Sequence, residues 1–212
     1  MWGDKMLNSY KEFKDYLDKE IKSLSTKPKL LLHTCCAPCS SYTIKLLKEY
    51  FDITIFYSND NIYPYEEYRH RLDEQIRFAT LFDIEVLFDE YSNEDYENAI
   101  KGKETLGERS YRCYECYKLR LEKTALKAKE LSFDFFTTSL SISPYKVSRW
   151  INEIGYNLEE KYHVSFLYSD YKKEEGYKES IRLSAQYNLY RQDFCGCVYS
   201  KKERDEKRCQ ED

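Results

Sequence analysis

Apolar residues recur along this chain in two periods, and the switches between them define its elements. Tyr10, Phe13, Leu17, Ile21 and Leu24 fall on one stripe at helical spacing, which predicts an amphipathic helix over residues 6–24 that covers a sheet edge and stops before Pro28. Leu30–Leu32 is a short apolar run that reads as a first strand. Ile44, Leu47 and Tyr50 then return to helical spacing over Tyr42–Tyr50, with Ser40 and Ser41 as N-cap candidates. The β-branched run Asp52–Tyr57 reads as strand two, residues 58–64 as a turn, and residues 65–82 as a long helix with Tyr68, Leu72, Ile76, Ala79 and Phe82 inward. Ile84–Phe88, Phe133–Thr138 and Val164–Tyr168 complete five expected strands. Helices are expected at Asn93–Lys101, from a loop at 102–111 to about Leu131, from about Lys146, and over 174–188. Strands alternating with helices imply right-handed crossovers and a parallel sheet. The expected division is an N-terminal helical extension at 1–28, one α/β domain at 29–200, and a charged, frayed tail at 201–212.

Composition narrows the class. The 212 residues are 42% hydrophobic and 34% charged, enough apolar material for one core. No apolar run approaches the roughly 20 residues of a membrane span, and the first residues lack a signal-peptide apolar region, so a cytoplasmic protein with no membrane partner is expected. A formal charge of −4 argues against indiscriminate nucleic-acid binding while leaving room for a local basic patch. The 22 tyrosines can stack on bases, but half-buried packing is the simpler account for most of them.

The eight cysteines change the picture. In a reducing compartment, clustered thiols point to metal or redox chemistry before a disulfide framework. Cys35, Cys36 and Cys39 lie where the first strand's carboxyl end meets a helix N-terminus. Ligands bind at that edge of open α/β sheets, and the helix dipole there favours thiolates. Cys36-Ala-Pro-Cys39 alone would suit a thioredoxin-like dithiol. Cys113-Tyr-Glu-Cys116 is a second pair of the same spacing, and two pairs plus Cys35 fit a metal site better, with zinc or an iron–sulfur cluster as occupant. Side chains of neighbouring residues in an extended loop diverge, so Cys35 and Cys36 are expected to serve two metals or two corners of a cluster. A disulfide within Cys195-Gly-Cys197 would be strained and labile; the alternative is two further ligands. Cys209 is expected to be incidental. His33 is expected to be a satisfied core residue, and His70 and His163 structural or solvated.

These residues resemble the cobalamin-independent epoxyqueuosine reductases of the QueH type. The resemblance rests on Leu-Leu-His-Thr-Cys-Cys-Ala-Pro-Cys39, on Asn61-Ile-Tyr-Pro-Tyr-Glu-Glu-Tyr68 with Arg71, and on Arg112-Cys-Tyr-Glu-Cys-Tyr-Lys-Leu-Arg-Leu121. It continues through Thr137-Thr-Ser-Leu-Ser-Ile-Ser-Pro-Tyr-Lys146, Asp170 with Gly176-Tyr177, and Leu189-Tyr-Arg-Gln-Asp-Phe-Cys-Gly-Cys-Val-Tyr-Ser200. It implies a Rossmann-like HUP (adenine-nucleotide α-hydrolase-like) parallel sheet flanked by helices. At the place of that group's glycine-rich phosphate loop this chain has Cys-Cys-Ala-Pro-Cys-Ser, so use of ATP is not expected.

The resemblance further implies an oxidoreductase that reduces the epoxide of epoxyqueuosine at the tRNA wobble position to queuosine. Its cofactors would be a 4Fe–4S cluster and an adjacent mononuclear iron, without cobalamin, held by Cys35, Cys36, Cys39, Cys113 and Cys116. Cys195 and Cys197 are expected to relay electrons through a dithiol–disulfide cycle, with Asp193 or Tyr190 supplying a proton. Arg109, Arg112, Arg120 and Arg191 are candidates for tRNA phosphate contacts, with an intramolecular ion pair as the alternative for each. Tyr111 and Tyr145 are candidates for base stacking. An unidentified ferredoxin- or flavodoxin-like donor is the expected electron source. The rival readings are a tRNA thiolation enzyme of the same fold and a zinc-stabilised RNA-binding module.

Overall fold

A computed structural model describes residues 7–211. Five strands, β1 (Lys29–His33), β2 (Asp52–Tyr57), β3 (Val86–Phe88), β4 (Phe135–Thr138) and β5 (Ser165–Phe166), form one sheet in the order β3-β2-β1-β4-β5. Every pairing is parallel, with Leu31 opposite both Thr54 and Phe136. The chain winds outward from β1 through β2 to β3, then returns to the other side for β4 and β5. Order therefore reverses between β1 and β4, the place where open α/β sheets form a crevice at their carboxyl edge.

Helices α1 (Tyr10–Lys19), α2 (Ala37–Leu47), α3 (Tyr65–Thr80), α4 (Asn93–Ile100), α5 (Tyr111–Glu130), α6 (Ser148–Tyr162), α7 (Gly176–Gln186) and α8 (Val198–Glu211) surround the sheet. Leu30, Leu32, Ile53, Ile55 and Phe135 point to one face and pack with residues of α1, α2 and α3. Leu31, Phe56 and Phe136 point to the other face and pack under Leu121, Ala125, Ile151 and Ile154 of α5 and α6. A strand buried on both faces reads as a continuous apolar run, as Leu30–Leu32 does. Gly155 brings α6 against β5: a Cβ there would lie 2.4 Å from the Phe166 ring.

Several expected boundaries move. The first helix ends at Lys19, followed by a 3-10 turn at Ile21–Ser23; the part expected at residue 6 lies outside the described residues. Even so, Leu7, Tyr10, Phe13, Leu17 and Ile21 belong to the same core as β1 and β2. Helix α2 begins at Ala37, five residues earlier than expected, so Ser40 and Ser41 are not caps. Each hydroxyl instead donates back to a carbonyl one turn earlier, Ser40 to Ala37 at 3.1 Å and Ser41 to Pro38 at 2.9 Å. On α3, Ile76 is 36% exposed, while Gln75 and Phe78 are buried. Residues 201–211, expected as part of a frayed tail, continue α8, which is pinned at its start: Glu203 pairs with Arg112 at 2.7 Å and Arg204 with Asp193 at 2.6 Å.

Candidate metal centre and cavity

The site begins with a bend at Cys35, immediately after β1. Cys36 follows in extended conformation (φ −174°, ψ 156°) as the residue before α2, and Ala37 and Pro38 open the helix. Proline suits that first turn, where its missing N–H has no intrahelical partner to lose. The bend overturns the expectation that Cys35 and Cys36 diverge, because strand alternation no longer applies there. Their sulfurs lie 3.8 Å apart, Cys36 and Cys39 lie 2.8 Å apart, and all three ligand atoms fall within 4.8 Å of one another. Cys35 and Cys36 are buried; Cys39 is half-buried.

Crowding three thiols splits their acidities. Hydrogen bonds from Cys36 and Cys39 hold the Cys35 thiol well below its usual range against the opposing effect of burial, with help from the Arg120 charge. Burial pushes Cys36 up to about 12, and the neighbouring thiols of Cys35 and Cys36 push Cys39 well up. Such a set surrenders its protons to a soft cation that replaces them, as thiolate metal sites require. Beside it, His33 bonds through Nδ1 to Thr138 Oγ1 at 2.8 Å and through Nε2 to the Ser58 carbonyl oxygen at 3.2 Å. Burial, then the Arg120 charge, lowers its pKa to about 3, so it is the satisfied neutral core residue expected.

Helix α5 supplies the second pair of thiols. Ser110 caps it, accepting from the Arg112 N–H at 3.3 Å, which places Cys113 and Cys116 in its first two turns. Cys113 packs in the same apolar cluster as Cys35, Cys36 and Cys39. Cys116 faces Cys197, Tyr96 and Ile100 in a separate cluster, and burial pushes its thiol up to about 12. The α5 pair stands outside the close group of three.

A cavity of about 500 Å³ opens over these elements, lined among others by Cys35, Cys39, Arg120, Lys146 and Cys195. The Cys195-Gly196-Cys197 turn divides its two thiols. Cys195 faces the cavity, 2.9 Å from the Lys146 ammonium, while Cys197 is buried beside Ser200. Gly196 sits at φ +122°, and a Cβ there would lie 3.0 Å from Ile62 Cγ1 and 3.1 Å from Arg71 Nη1. Arg71, only 1% exposed, holds the turn to α3 by donating to the Cys195 carbonyl oxygen at 3.1 Å while pairing with Glu67 at 2.6 Å.

The other residues singled out by sequence divide sharply. Arg191 is exposed, lines the cavity and donates to Ser184 Oγ at 3.1 Å; Arg109 is exposed on the loop before α5. Tyr145 is 62% exposed at the cavity wall, and Tyr111 is 66% exposed and stacked on Trp150. Arg112 and Arg120 depart from their expected role as phosphate contacts, being 3% and 1% exposed. The Arg112 guanidinium is used internally, by Glu203 and the carbonyl oxygens of Glu104 and Leu106. Asp193 does line the cavity, but Arg204 and Arg208 clamp its two oxygens at 2.6 and 2.5 Å. Burial is the largest single influence and raises its pKa, yet the Arg204 hydrogen bond and the Arg204 and Arg208 charges together outweigh it and hold the carboxyl below its usual range, which unfits it as an acid. Tyr190 packs edge-on against His70 and bonds to Glu67 at 3.3 Å, and it is not among the residues lining the cavity. Sequence reasoning missed Lys146 and Trp150. Lys146 follows Ser143-Pro144-Tyr145 with no pattern to mark it as buried, and Trp150 looks like one more aromatic on a helix.

Comparison with known proteins agrees with this arrangement. The sequence model of the family described as epoxyqueuosine reductase QueH matches residues 30–203. The chain is 40% identical over 184 residues to the epoxyqueuosine reductase QueH of Streptococcus pyogenes serotype M1, covering 84% of this chain and 72% of that one. It is 39% identical to the Thermotoga maritima protein of the same name, covering 84% and 93%, and 35% identical to that of Staphylococcus aureus, covering 93% and 89%. Among solved structures, the U34-tRNA thiolase NcsA from Methanococcus maripaludis, with its [4Fe-4S] cluster, is similar at TM-score 0.56 and 17% identity, covering 90% of this chain and 67% of that one. That likeness is one of fold alone. A family model that matches residues 30–203, with 35–40% identity to these relatives over most of the chain, is of a different order: the chain belongs to the epoxyqueuosine reductase QueH family.

Proposed function

We propose that this chain reduces the epoxide of epoxyqueuosine in tRNA to the alkene of queuosine, as a cytoplasmic enzyme using neither ATP nor cobalamin. The observation that carries the reading is the convergence of Cys35, Cys36 and Cys39 within 4.8 Å at the wall of a cavity that also exposes Cys195. No helix among the described residues is long and apolar enough to cross a membrane.

The donor set fits an iron–sulfur centre. Buried, soft thiols converge without carboxylates among them, the chemistry that selects iron–sulfur or zinc over hard cations. Cys35, Cys36 and Cys39, with Cys113 and Cys116 from α5, would hold a 4Fe–4S cluster and an adjacent iron. When bound, that group supplies electrons and Lewis acidity. At the place of a phosphate loop, Pro38 withholds one N–H and Cys39 fills the first helical turn, an arrangement unsuited to cradling a pyrophosphate.

The protein's own residues then do the following. The cavity takes the modified base, Arg109 and Arg191 meet backbone phosphates, and Tyr111 and Tyr145 stack on unpaired bases. Reducing an epoxide to an alkene and water consumes two electrons and two protons. Oxidising Cys195 and Cys197 from dithiol to disulfide releases the same number of each, and a ferredoxin- or flavodoxin-like donor would restore the dithiol. With Asp193 clamped by two arginines and Tyr190 outside the cavity, the Lys146 ammonium is the proton-bearing group placed on Cys195.

Anaerobic purification with iron and sulfide assay, followed by incubation with epoxyqueuosine-containing tRNA and a strong reductant, tests this. About four or more irons per chain and queuosine in the nucleoside digest are expected. Zinc in place of iron, or iron without queuosine, would refute the reading.

A further inference from the structure

Three arginines in this chain are almost fully enclosed: Arg71, Arg112 and Arg120. Two have an acid. Arg71 pairs with Glu67 and Arg112 with Glu203. Arg120, 1% exposed, forms no ion pair with a carboxylate among the described residues. Its Nη2 donates to Asn59 Oδ1 at 2.5 Å, its Nη1 lies 4.0 Å from Cys116 Sγ, and its Nε is buried with no partner. Burying a cation without an anion is costly enough that native chains rarely do it. Here the nearest candidates for an anion are thiols: Cys116 on α5 at 4.0 Å, and Cys35 after β1 and Cys195 before α8, which line the same cavity as Arg120. Neutral thiols do not balance a cation, whereas thiolates holding a metal centre do.

Its position is imposed rather than adaptable. Asn59 accepts from Arg120 and donates through Nδ2 to the Thr34 carbonyl oxygen at 2.8 Å, bridging α5 to the residue next to the cysteine bend. Residues 58–64 read as a turn from the sequence; the fold uses Asn59 within it to fix a charge. Arg120 also lines the cavity together with Cys35, Cys39 and Cys195.

We propose that Arg120 is a positioning residue whose unpaired charge is the counter-ion of the thiolate-bound centre at Cys35, and that it sets the reduction potential of that centre. The inference rests on the iron–sulfur reading above. Reduction by one electron adds one negative charge, and a fixed cation that is itself buried stabilises the more negative state with less screening than a surface charge would meet. Removing the cation therefore shifts the equilibrium toward the oxidised form, and neutralising it in place does the same.

The test is a redox titration, by electron paramagnetic resonance, of the anaerobically reconstituted full chain and of Arg120→Met, Arg120→Lys and Asn59→Asp, each after iron and sulfide assay. Arg120→Met is expected to shift the reduction equilibrium at least tenfold toward the oxidised form, 59 mV for a one-electron couple. Asn59→Asp, which leaves Arg120 in place but gives it a carboxylate, is expected to move the same way. Arg120→Lys is expected to stay within about threefold of wild type, since the charge is retained. Should Arg120→Met hold no iron, Asn59→Asp decides on the same criterion; iron lost from both but kept by Arg120→Lys supports the charge role. Unmoved potentials in Arg120→Met and Asn59→Asp overturn it, as does Arg120→Lys behaving like Arg120→Met. A wild-type chain that takes up no iron refutes the iron–sulfur reading and this inference with it, whereas iron with unmoved potentials refutes this inference alone.

Discussion

Replacing Arg71 by Met would detach the Cys195-Gly196-Cys197 turn from α3, and the structure gives the size of the effect. The guanidinium pairs with Glu67 at 2.6 Å, donates to the carbonyl oxygens of Cys195 at 3.1 Å and Phe194 at 3.5 Å, and lies 5.1 Å from the centre of the Phe194 ring. Methionine fills most of the space and restores none of these contacts. The 3.1 Å bond, charged on the donor side, is worth about 1.5–3 kcal/mol, while the 3.5 Å contact adds little. Removing one partner of a buried ion pair costs about 3–5 kcal/mol. Glu67 keeps 15% exposure, so water can reach the carboxylate left behind. The combined loss should therefore fall near the lower end, about 3 kcal/mol. Urea denaturation of the full chain measures it. Hydrogen exchange of residues 190–197 locates it, because these amides should lose protection well before those of β1 and β2. Glu67→Gln, which preserves the carbonyl contacts, should lose about 1 kcal/mol. A loss below about 1 kcal/mol in Arg71→Met, or unchanged exchange at 190–197, would show that the turn is held by something else.

Gly196→Ala should cost about 1–3 kcal/mol in thermal or urea unfolding, since φ +122° is closed to L-residues and the added Cβ meets Ile62 and Arg71; wild-type stability would contradict the turn geometry. Glu179 on α7 is clamped by hydrogen bonds from Arg182 and from Lys45 of α2, at 2.7 Å each, which hold its pKa at about 2. A carboxyl lowered in the folded state stabilises fully above its unfolded pKa and loses that contribution as pH falls toward about 2. Discounted for solvent screening, the contribution is at most about 1 kcal/mol. Glu179→Gln should therefore be less stable than wild type at pH 7 and converge with it near pH 2, and a constant gap across that range would disprove the linkage. Cys36→Ala should strip most iron from the reconstituted chain, whereas Cys209→Ala, at an exposed position on α8, should leave iron content unchanged. Equal iron in the two variants would remove the strand–helix junction from the centre.

The sequence by itself determined the sheet and the address of the site. Apolar runs such as Leu30–Leu32 and Asp52–Tyr57 can be buried on two faces only inside a parallel sheet covered by helices, so strand order in the chain already implied the crossovers. Thiols placed directly after β1 had to fall at the carboxyl edge, where such sheets bind ligands. Family membership was legible too, because it resides in ordered blocks of residue types rather than in geometry.

Tertiary structure decided what each polar side chain does. Whether Cys35 and Cys36 converge depends on a bend that no local spacing encodes. Ser40 and Ser41 look like caps, but Cys36 precedes the helix because α2 starts five residues sooner than the apolar spacing indicates. Four arginines were equivalent as sequence, yet Arg109 and Arg191 meet solvent, Arg112 is consumed by Glu203 of α8, and Arg120 is sealed among thiols. Asp193 and Tyr190 lost their expected roles to partners 11 and 123 positions away, Arg204 and Glu67. The physical reason is common to all of these cases. Hydrophobic periodicity is a property of neighbours along the chain, whereas the charge, protonation and exposure of a side chain are set by groups that only folding brings beside it.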